Sequence, residues 1–209
     1  TYNHYGNWNI TIYFIKIMRS IYIITGPIGS GKSSACKFLQ KHGFTYINSD
    51  KFAKEIIKNN ESIKKKISKL MHLNNDLSER IPWKKIRSFI SQSIDNKRKY
   101  NAIIHSVFYK ILNREIANNK YDYVIEIPLI ETVKKIEQKK IIICILTDYK
   151  NRKKRFTKNN RKNELKFETL NKLQKSREFY IKNSDYVIYN NKSINNMNDS
   201  LISIINKHQ

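Results

Sequence analysis

Glycine, proline, cysteine and acidic residues are all scarce in this sequence of 209 residues. It holds 5 Gly, 3 Pro and 2 Cys, and only 17 Asp and Glu residues oppose 41 Lys and Arg residues. Cys36 and Cys144 are far apart, each in an apolar setting, and neither has the spacing of a metal site. We therefore expect two buried free thiols, as is typical of a protein from a reducing compartment.

The shortage of acidic residues leaves a formal net charge of +24, which has two explanations. Nucleic acid is the first partner that such a charge suggests. The alternative is codon bias, because the chain is rich in Lys, Asn, Ile and Tyr and its lysines are spread rather than gathered in one tract. We favour codon bias and do not expect a nucleic-acid partner, although the positive field would attract anionic phosphate substrates.

Hydrophobic residues make up 40% of the chain, enough for one globular domain with a full core. We expect this domain to be monomeric and to span residues 18–209, with residues 1–17 as an N-terminal extension. The apolar run at 10–17 is too short to span a bilayer, and no membrane association is expected. We expect a cytoplasmic protein, or one in an organelle matrix if the extension is a targeting segment.

The most informative stretch follows a predicted buried strand at 21–25 and precedes a predicted helix at 34–41. It fits the pattern G-x-x-x-x-G-K-[ST] without a mismatch, in the strand-loop-helix context that phosphate-binding loops require. The glycines let backbone N–H groups point at a polyphosphate, and the helix N-terminus adds a positive partial charge. The residues of the pattern are Gly26, Pro27, Ile28, Gly29, Ser30, Gly31, Lys32 and Ser33.

Two side chains of this loop carry the expected chemistry. Lys32 would reach the β- and γ-phosphates of a nucleotide, and the Ser33 hydroxyl would bind Mg²⁺. Ser34, the next residue, is a further expected nucleotide contact. The loop thus predicts a nucleoside triphosphate and Mg²⁺ as cofactors.

The remaining chain alternates strands and helices. Residues 51–118 are helical in pattern and too long for a simple crossover, so they indicate a helical insertion that closes over a second substrate. Together these elements predict a three-layer α/β/α fold with a five-stranded parallel sheet. Further strands are predicted at 44–47, 121–127, 141–146 and 186–189, and further helices at 165–182 and 195–207.

Polar or charged residues follow two of the predicted strands. Asp50 comes after the second strand, and ligands of open α/β sheets bind beyond the carboxyl ends of strands, so Asp50 is expected beside the loop. A helix N-cap is its alternative role.

Residues 149–164 follow the fourth strand and are dense in basic side chains, which predicts a lid that closes on nucleotide phosphates. A solvated helix face or a nonspecific nucleic-acid contact is the alternative for that segment.

A series of landmarks extends over residues 18 to 205 and is more specific than the loop alone. It comprises the loop, Gly43, residues 48–50, His105, residues 127–130, Arg155, Gln174, Arg177, residues 184–188 and Asn190. In this order the landmarks resemble the dephospho-CoA kinase family of P-loop kinases.

The resemblance implies that ATP phosphorylates the ribose 3′-hydroxyl of dephospho-CoA, giving CoA and ADP. It implies catalytic roles for Asp50, Lys32 and Arg155, with Asp50 orienting or deprotonating the hydroxyl. Nucleotide contacts would come from the loop, Ser34, Arg155 and Asn190, and contacts to dephospho-CoA from Asp50, His105, Pro128 and Leu129. For His105, a purely structural role is the alternative to a substrate contact.

The sequence departs from the family pattern mainly at positions on the CoA side. Asn48 replaces the first acid of the family's Asp-x-Asp, Ser106 replaces the proline of its His-Pro pair, and Asn159 replaces its second lid arginine. The arginine-leucine pattern before the middle helices is eroded at 83–86. Glu126, at the end of the third strand, has two open roles, to hold a Mg²⁺-bound water or to cap a helix.

Three other function classes share features with this sequence. Another small-molecule kinase, such as a nucleoside monophosphate kinase, is disfavoured by residues 48–50 and 127–130. A GTP-dependent switch is disfavoured because residues 191–194 lack the acid of Asn-Lys-x-Asp and no Asp-x-x-Gly follows the loop. A basic nucleic-acid-binding NTPase with a degenerate loop is disfavoured by the intact Lys32 and Ser33.

Overall fold

Five parallel strands form a single sheet in the computed structural model, which describes residues 20–73, 81–160 and 164–208. The strands are β1 (Ile21–Thr25), β2 (Thr45–Asn48), β3 (Tyr123–Glu126), β4 (Ile141–Leu146) and β5 (Tyr186–Tyr189). Their order across the sheet is β2–β3–β1–β4–β5. The limits predicted for β1, β4 and β5 are confirmed, whereas β2 begins one residue later than predicted and β3 is shorter.

Helices cover both faces of the sheet. A 3₁₀ helix at Ile130–Lys135 follows β3. The α-helices are α1 (Lys32–Lys41), α2 (Ser49–Lys58), α3 (Glu61–Leu70), α4 (Trp83–Gln92), α5 (Ile94–Asn118), α6 (Tyr149–Asn160), α7 (Glu164–Lys172), α8 (Arg177–Lys182) and α9 (Ile194–Asn206).

The alternation of side chains along β1 divides the core into two layers. Ile21 and Ile23 pack with apolar residues of α2, α3, α4 and α5 on one face. Tyr22 and Ile24 pack with residues of α1 and α9 on the other face. This arrangement confirms the three-layer α/β/α fold, with the predicted helical insertion as one of its layers.

The single helix predicted at 165–182 is wrong, because the chain forms α7 and α8 instead. Ser176 caps α8, and its hydroxyl accepts a hydrogen bond from the Phe179 N–H at 3.2 Å. A serine that satisfies a free N–H group favours a new helix start over a continuous helix. The interruption places Gln174 beside the phosphate-binding loop, where its Oε1 accepts from the Ile28 N–H at 2.9 Å.

Because the strands are parallel, their carboxyl ends meet at one edge of the sheet, and this edge carries the polar residues that follow each strand. The two cysteines are buried and free, as predicted. Within the described ranges, no helix combines the length and the apolar character needed to cross a membrane.

Candidate active site

The phosphate-binding loop joins β1 to α1, and its shape depends on its glycines. Gly29 and Gly31 have φ angles of +75° and +106°, and residues other than glycine adopt such angles only at an energetic cost. A Cβ at Gly29 would lie 2.5 Å from the Arg152 carbonyl oxygen, and one at Gly31 would lie 2.4 Å from Asn190 Nδ2. Helix α6 and the residue after β5 therefore pack directly on the loop.

Lys32 is buried at the start of α1, where its ammonium group closes the loop. Its Nζ donates to the carbonyl oxygens of Gly26 and Pro27 at 2.9 and 3.0 Å. Burial lowers the pKa of Lys32, and the negative charges of Glu126 and Asp50 act in the opposite direction. A bound phosphate would favour the charged form in the same way as these carboxylates.

Glu126 is the centre of a polar cluster at the end of β3. Its Oε1 accepts from the Ser33 hydroxyl at 2.8 Å. Its Oε2 accepts from the Tyr46 hydroxyl at 2.5 Å and from Asn48 Nδ2 at 2.8 Å. These side-chain bonds hold the nearly buried carboxylate toward the loop, so the alternative role as a helix cap is wrong for Glu126.

Asp50 lies in the first turn of α2, on the wall that faces the loop. Desolvation by the surrounding atoms is the main cause that raises its pKa, followed by the negative charge of Glu126, while Lys32 and Lys54 oppose the rise. The residue that caps α2 is Asn48, whose Oδ1 accepts from the Lys51 N–H at 3.0 Å. The alternative role of Asp50 as the N-cap is therefore wrong.

A cavity of about 600 Å³ opens above the loop, a size typical of small-molecule sites. It brings together the loop, the acids of β3 and α2, helix α6 and the start of α9. Its lining residues are Ile28, Gly29, Gly31, Lys32, Ser33, Ser34, Asp50, Glu126, Arg155, Phe156, Asn190, Ile194 and Met197.

The other predicted residues of the loop do not line the cavity but stabilise the shape of the loop. Ser30 is fully buried, and its carbonyl oxygen accepts from Asn190 Nδ2 at 2.9 Å. Asn190, the residue after β5, thus holds the loop with its side chain and also lines the cavity. Gly26 and Pro27 contribute the carbonyl oxygens that bind Lys32.

Arg155 lies on α6 at the wall of the cavity. Its Nη2 donates to the Asn190 carbonyl oxygen at 3.0 Å, and its Nη1 lies 3.4 Å from the Thr147 hydroxyl. The side chain of Asn159, the predicted position of a second lid arginine, lies outside the described residues, as do residues 161–163 of the predicted lid. These contacts thus hold the Arg155 guanidinium at the wall of the cavity.

Arg152 is a loop contact that sequence reasoning missed. Its Nη1 donates to Asn171 Oδ1 at 2.8 Å and lies 3.4 Å from the Ile28 carbonyl oxygen. Its Nε donates to the Thr147 carbonyl oxygen at 3.1 Å. The signal available in the sequence was its position on α6, three residues before Arg155, which places both on one helix face.

The predicted contacts to dephospho-CoA divide between two places. Pro128 and Leu129 line a smaller groove of about 140 Å³ that adjoins the loop at Ile28 and also contains Gln174. His105, although described, lines neither this groove nor the larger cavity. Its ring packs edge-on against Tyr109, and burial is the main cause that lowers its pKa.

The loop and β3 present oxygen donors suited to Mg²⁺. Among the described residues, no group of three or more His, Cys, Asp or Glu side chains could hold a metal. Kinase Mg²⁺ sites commonly use only one or two carboxylates together with substrate phosphates and water. The Ser33 hydroxyl and the Glu126 carboxylate, which are hydrogen-bonded to each other, fit that requirement with hard oxygen ligands.

The sequence of this chain is similar to those of known dephospho-CoA kinases. A family model described as dephospho-CoA kinase matches residues 20–196. The chain is 32% identical over 180 residues to the dephospho-CoA kinase of Fusobacterium nucleatum subsp. nucleatum, covering 83% of this chain and 91% of the relative. It is 26% identical over 187 residues to that of Buchnera aphidicola subsp. Acyrthosiphon pisum, covering 87% and 84%.

Solved structures share the fold. The dephospho-CoA kinase from Campylobacter jejuni matches with a TM-score of 0.60 and 22% identity, covering 91% of this chain and 97% of that one. A shikimate kinase from Acinetobacter baumannii matches with a TM-score of 0.55 and 16% identity, covering 92% and 96%. These structures support the α/β kinase architecture, and the family model spans most of the sequence. The chain belongs to the dephospho-CoA kinase family.

Proposed function

We propose that this chain transfers the γ-phosphoryl group of ATP to the ribose 3′-hydroxyl of dephospho-CoA, giving CoA and ADP in the last step of CoA synthesis. Membership of the family supports the activity and ATP as the donor. The observation that carries the assignment of residues is that Asp50 lines the same cavity as Lys32 and Ser33. A group that activates a hydroxyl and groups that bind phosphate thus share one site.

The loop binds the phosphates of ATP in this proposal. Its backbone N–H groups and the N-terminus of α1 offer donors and a positive partial charge to the β- and γ-phosphates. Lys32 exchanges the carbonyl oxygens of Gly26 and Pro27 for phosphate oxygens. Ser34 and Asn190 line the same cavity and serve as further nucleotide contacts.

Asp50 acts on the acceptor. The acceptor hydroxyl must stand in line with the γ-phosphorus, and a carboxylate can hold it there and accept its proton. The raised pKa of Asp50 makes it a better proton acceptor than an ordinary aspartate. Arg155 stabilises the negative charge that spreads over the transferred group.

Ser33 and Glu126 are the residues that would hold Mg²⁺, Ser33 directly and Glu126 through a bound water. When bound, the ion would neutralise part of the negative charge on the phosphates of ATP. Within the chain, Glu126 keeps the Ser33 hydroxyl oriented at the loop.

The adjoining groove gives dephospho-CoA a second region of contact. Pro128 and Leu129 lie there beside Ile28, so a substrate that reaches Asp50 can extend past the carboxyl end of β3 toward α7 and α8. His105 remains a proposed substrate contact only through a closure that moves α5, since it lines neither cavity here. The cytoplasmic location, the monomeric state and the lack of a nucleic-acid partner remain predictions.

A substrate panel tests the proposal. We expect Mg²⁺-dependent phosphorylation of dephospho-CoA in preference to AMP, CMP, UMP and thymidylate, because the cavity combines an acceptor acid with an adjoining groove. ADP formation should be measured with each acceptor at equal concentration, together with CoA formation. Equal or better turnover of any of the monophosphates would contradict the assignment.

A further inference from the structure

A continuous chain of hydrogen bonds links the acceptor side of the site to its phosphate side, with Asn48 at its centre. Asn48 Oδ1 accepts from the Lys51 N–H at 3.0 Å, and Asn48 Nδ2 donates to Glu126 Oε2 at 2.8 Å. Glu126 Oε1 in turn accepts from the Ser33 hydroxyl at 2.8 Å. This series of hydrogen bonds begins at the turn of α2 that carries Asp50 and ends at the phosphate-binding loop.

The strand register explains why Asn48 reaches Glu126. The two residues are Cα partners in the parallel pair of β2 and β3, so their side chains project on the same side of the sheet. Tyr46 is two residues earlier on β2 and therefore lies on that side as well. Its hydroxyl donates to the same carboxylate oxygen and accepts from Asn48 Nδ2 at 3.1 Å.

An amide at position 48 can make bonds that a carboxylate cannot. Asn offers an acceptor oxygen and a donor nitrogen, whereas an ionised Asp offers acceptors only. An Asp at this position could cap α2, but it would place a third negative charge beside Glu126 and near Asp50. Asn48 therefore gives Glu126 a hydrogen-bond donor where an Asp would give it a repulsive neighbour.

We propose that Asn48 is a positioning residue that sets where Asp50 stands relative to Ser33. It acts through Glu126 on one side and through the first turn of α2 on the other. This inference rests on the proposed function, because it assigns Asn48 a part in aligning the acceptor hydroxyl with the phosphate. A displacement of either side by an ångström is enough to cost catalysis.

Two substitutions separate this role from simple capping. Asn48→Asp and Asn48→Ser both keep an oxygen that can cap α2, and both lack the amide donor to Glu126. Asp has no donor and adds a charge, whereas Ser has a hydroxyl on a shorter side chain and adds no charge, so an effect common to both comes from the lost amide. The matched controls are Asn60→Asp and Asn60→Ser, because Asn60 caps α3 with the same bond, to the Ile63 N–H at 3.0 Å.

We expect both Asn48 variants to lower kcat by about 10- to 100-fold, as removal of supporting bonds around a site commonly does. The KM for ATP should stay within about twofold, because the loop amides and Lys32 are unchanged. Hydrolysis of ATP to phosphate should rise relative to CoA formation, because the acceptor is misaligned while the donor stays bound. The Asn60 variants should match the wild type in kcat and in this ratio.

A kcat near the wild-type value in both Asn48 variants, with an unchanged hydrolysis ratio, would overturn the inference and leave Asn48 as a cap. If one variant does not fold, the other decides by the same criteria, and a melting curve of each establishes folding. Failure of the proposed function would appear differently, as a wild-type protein that forms no CoA.

Discussion

Replacement of Arg155 by alanine is expected to lower kcat for dephospho-CoA phosphorylation by about 10³- to 10⁵-fold, the range found for positioned arginines in phosphoryl transfer. Two hydrogen-bond acceptors, Thr147 and Asn190, hold the guanidinium at the cavity wall. Because its charge acts on the transferred group, the KM for dephospho-CoA should change far less than kcat. Steady-state kinetics with both substrates varied would measure the two effects separately.

Lys154→Ala is the matched control for Arg155, since Lys154 is the adjacent residue on α6 and is exposed. Lys153 is less suitable, because its Nζ lies 3.4 Å from Glu168 Oε1 and its loss would also disturb the contact between α6 and α7. Arg155→Lys keeps the charge without the planar fork and should retain part of the activity. A loss at Lys154 equal to that at Arg155 would show a diffuse basic surface rather than one catalytic arginine.

The second large effect is expected for Asp50→Asn, which should lower kcat at least about 100-fold. A positioned base contributes about 10²- to 10⁴-fold, and an amide cannot accept the hydroxyl proton. The fold should tolerate the change, because Asn48 and not Asp50 caps α2. The helix N-terminus favours the charge of Asp50, but the desolvation that raises its pKa opposes that charge, so Tm should hardly move.

Glu55→Gln provides the comparison for Asp50→Asn. Glu55 lies on the same helix, is exposed and pairs with Lys58 at 2.9 Å, so its loss removes a carboxylate without touching the cavity. The Kd for ATP, measured by calorimetry, should be nearly the same in both variants and in the wild type. If Asp50→Asn keeps kcat close to that of the wild type, Asp50 is not the catalytic base.

The sequence specifies the sheet and the loop well because their signals are local. Continuous apolar runs identify β1 and β4, and the loop pattern identifies Lys32 and Ser33 with their neighbours in place. The position of Asp50 also follows from local information, since parallel strands bring their carboxyl ends to one edge. These elements were predicted with few errors in their limits.

Contacts between distant segments could not be predicted in the same way. Glu126 accepts hydrogen bonds from side chains of α1 and β2. No local sequence pattern predicts the strand order that brings β2 beside β3. The sequence left a helix cap open as the alternative role of Asp50, because Asn48 and Asp50 are both good capping residues. Only the backbone geometry decides between them.

The break between α7 and α8 shows a third reason why part of the structure could not be predicted from the sequence. Residues 165–182 are helical in propensity. The interruption depends on the hydrogen bonds that Ser176 accepts from Phe179 and Gln174 accepts from Ile28. Gln174 binds the Ile28 N–H from 146 positions along the chain, a contact that only the folded arrangement reveals. Arg152 was missed for the same reason, since its acceptors come from three separate segments.

The position of the new phosphate on the product tests the proposed reaction most directly. The protein should be incubated with ATP, Mg²⁺ and dephospho-CoA, and the product examined by phosphorus NMR beside authentic CoA. We expect one new phosphomonoester on the ribose 3′-oxygen, and no new phosphomonoester when the acceptor is the 3′-deoxy analogue of dephospho-CoA. A phosphate on the 2′-oxygen or elsewhere, or release of inorganic phosphate without a new ester, would contradict the assignment of this cavity to 3′-hydroxyl phosphorylation.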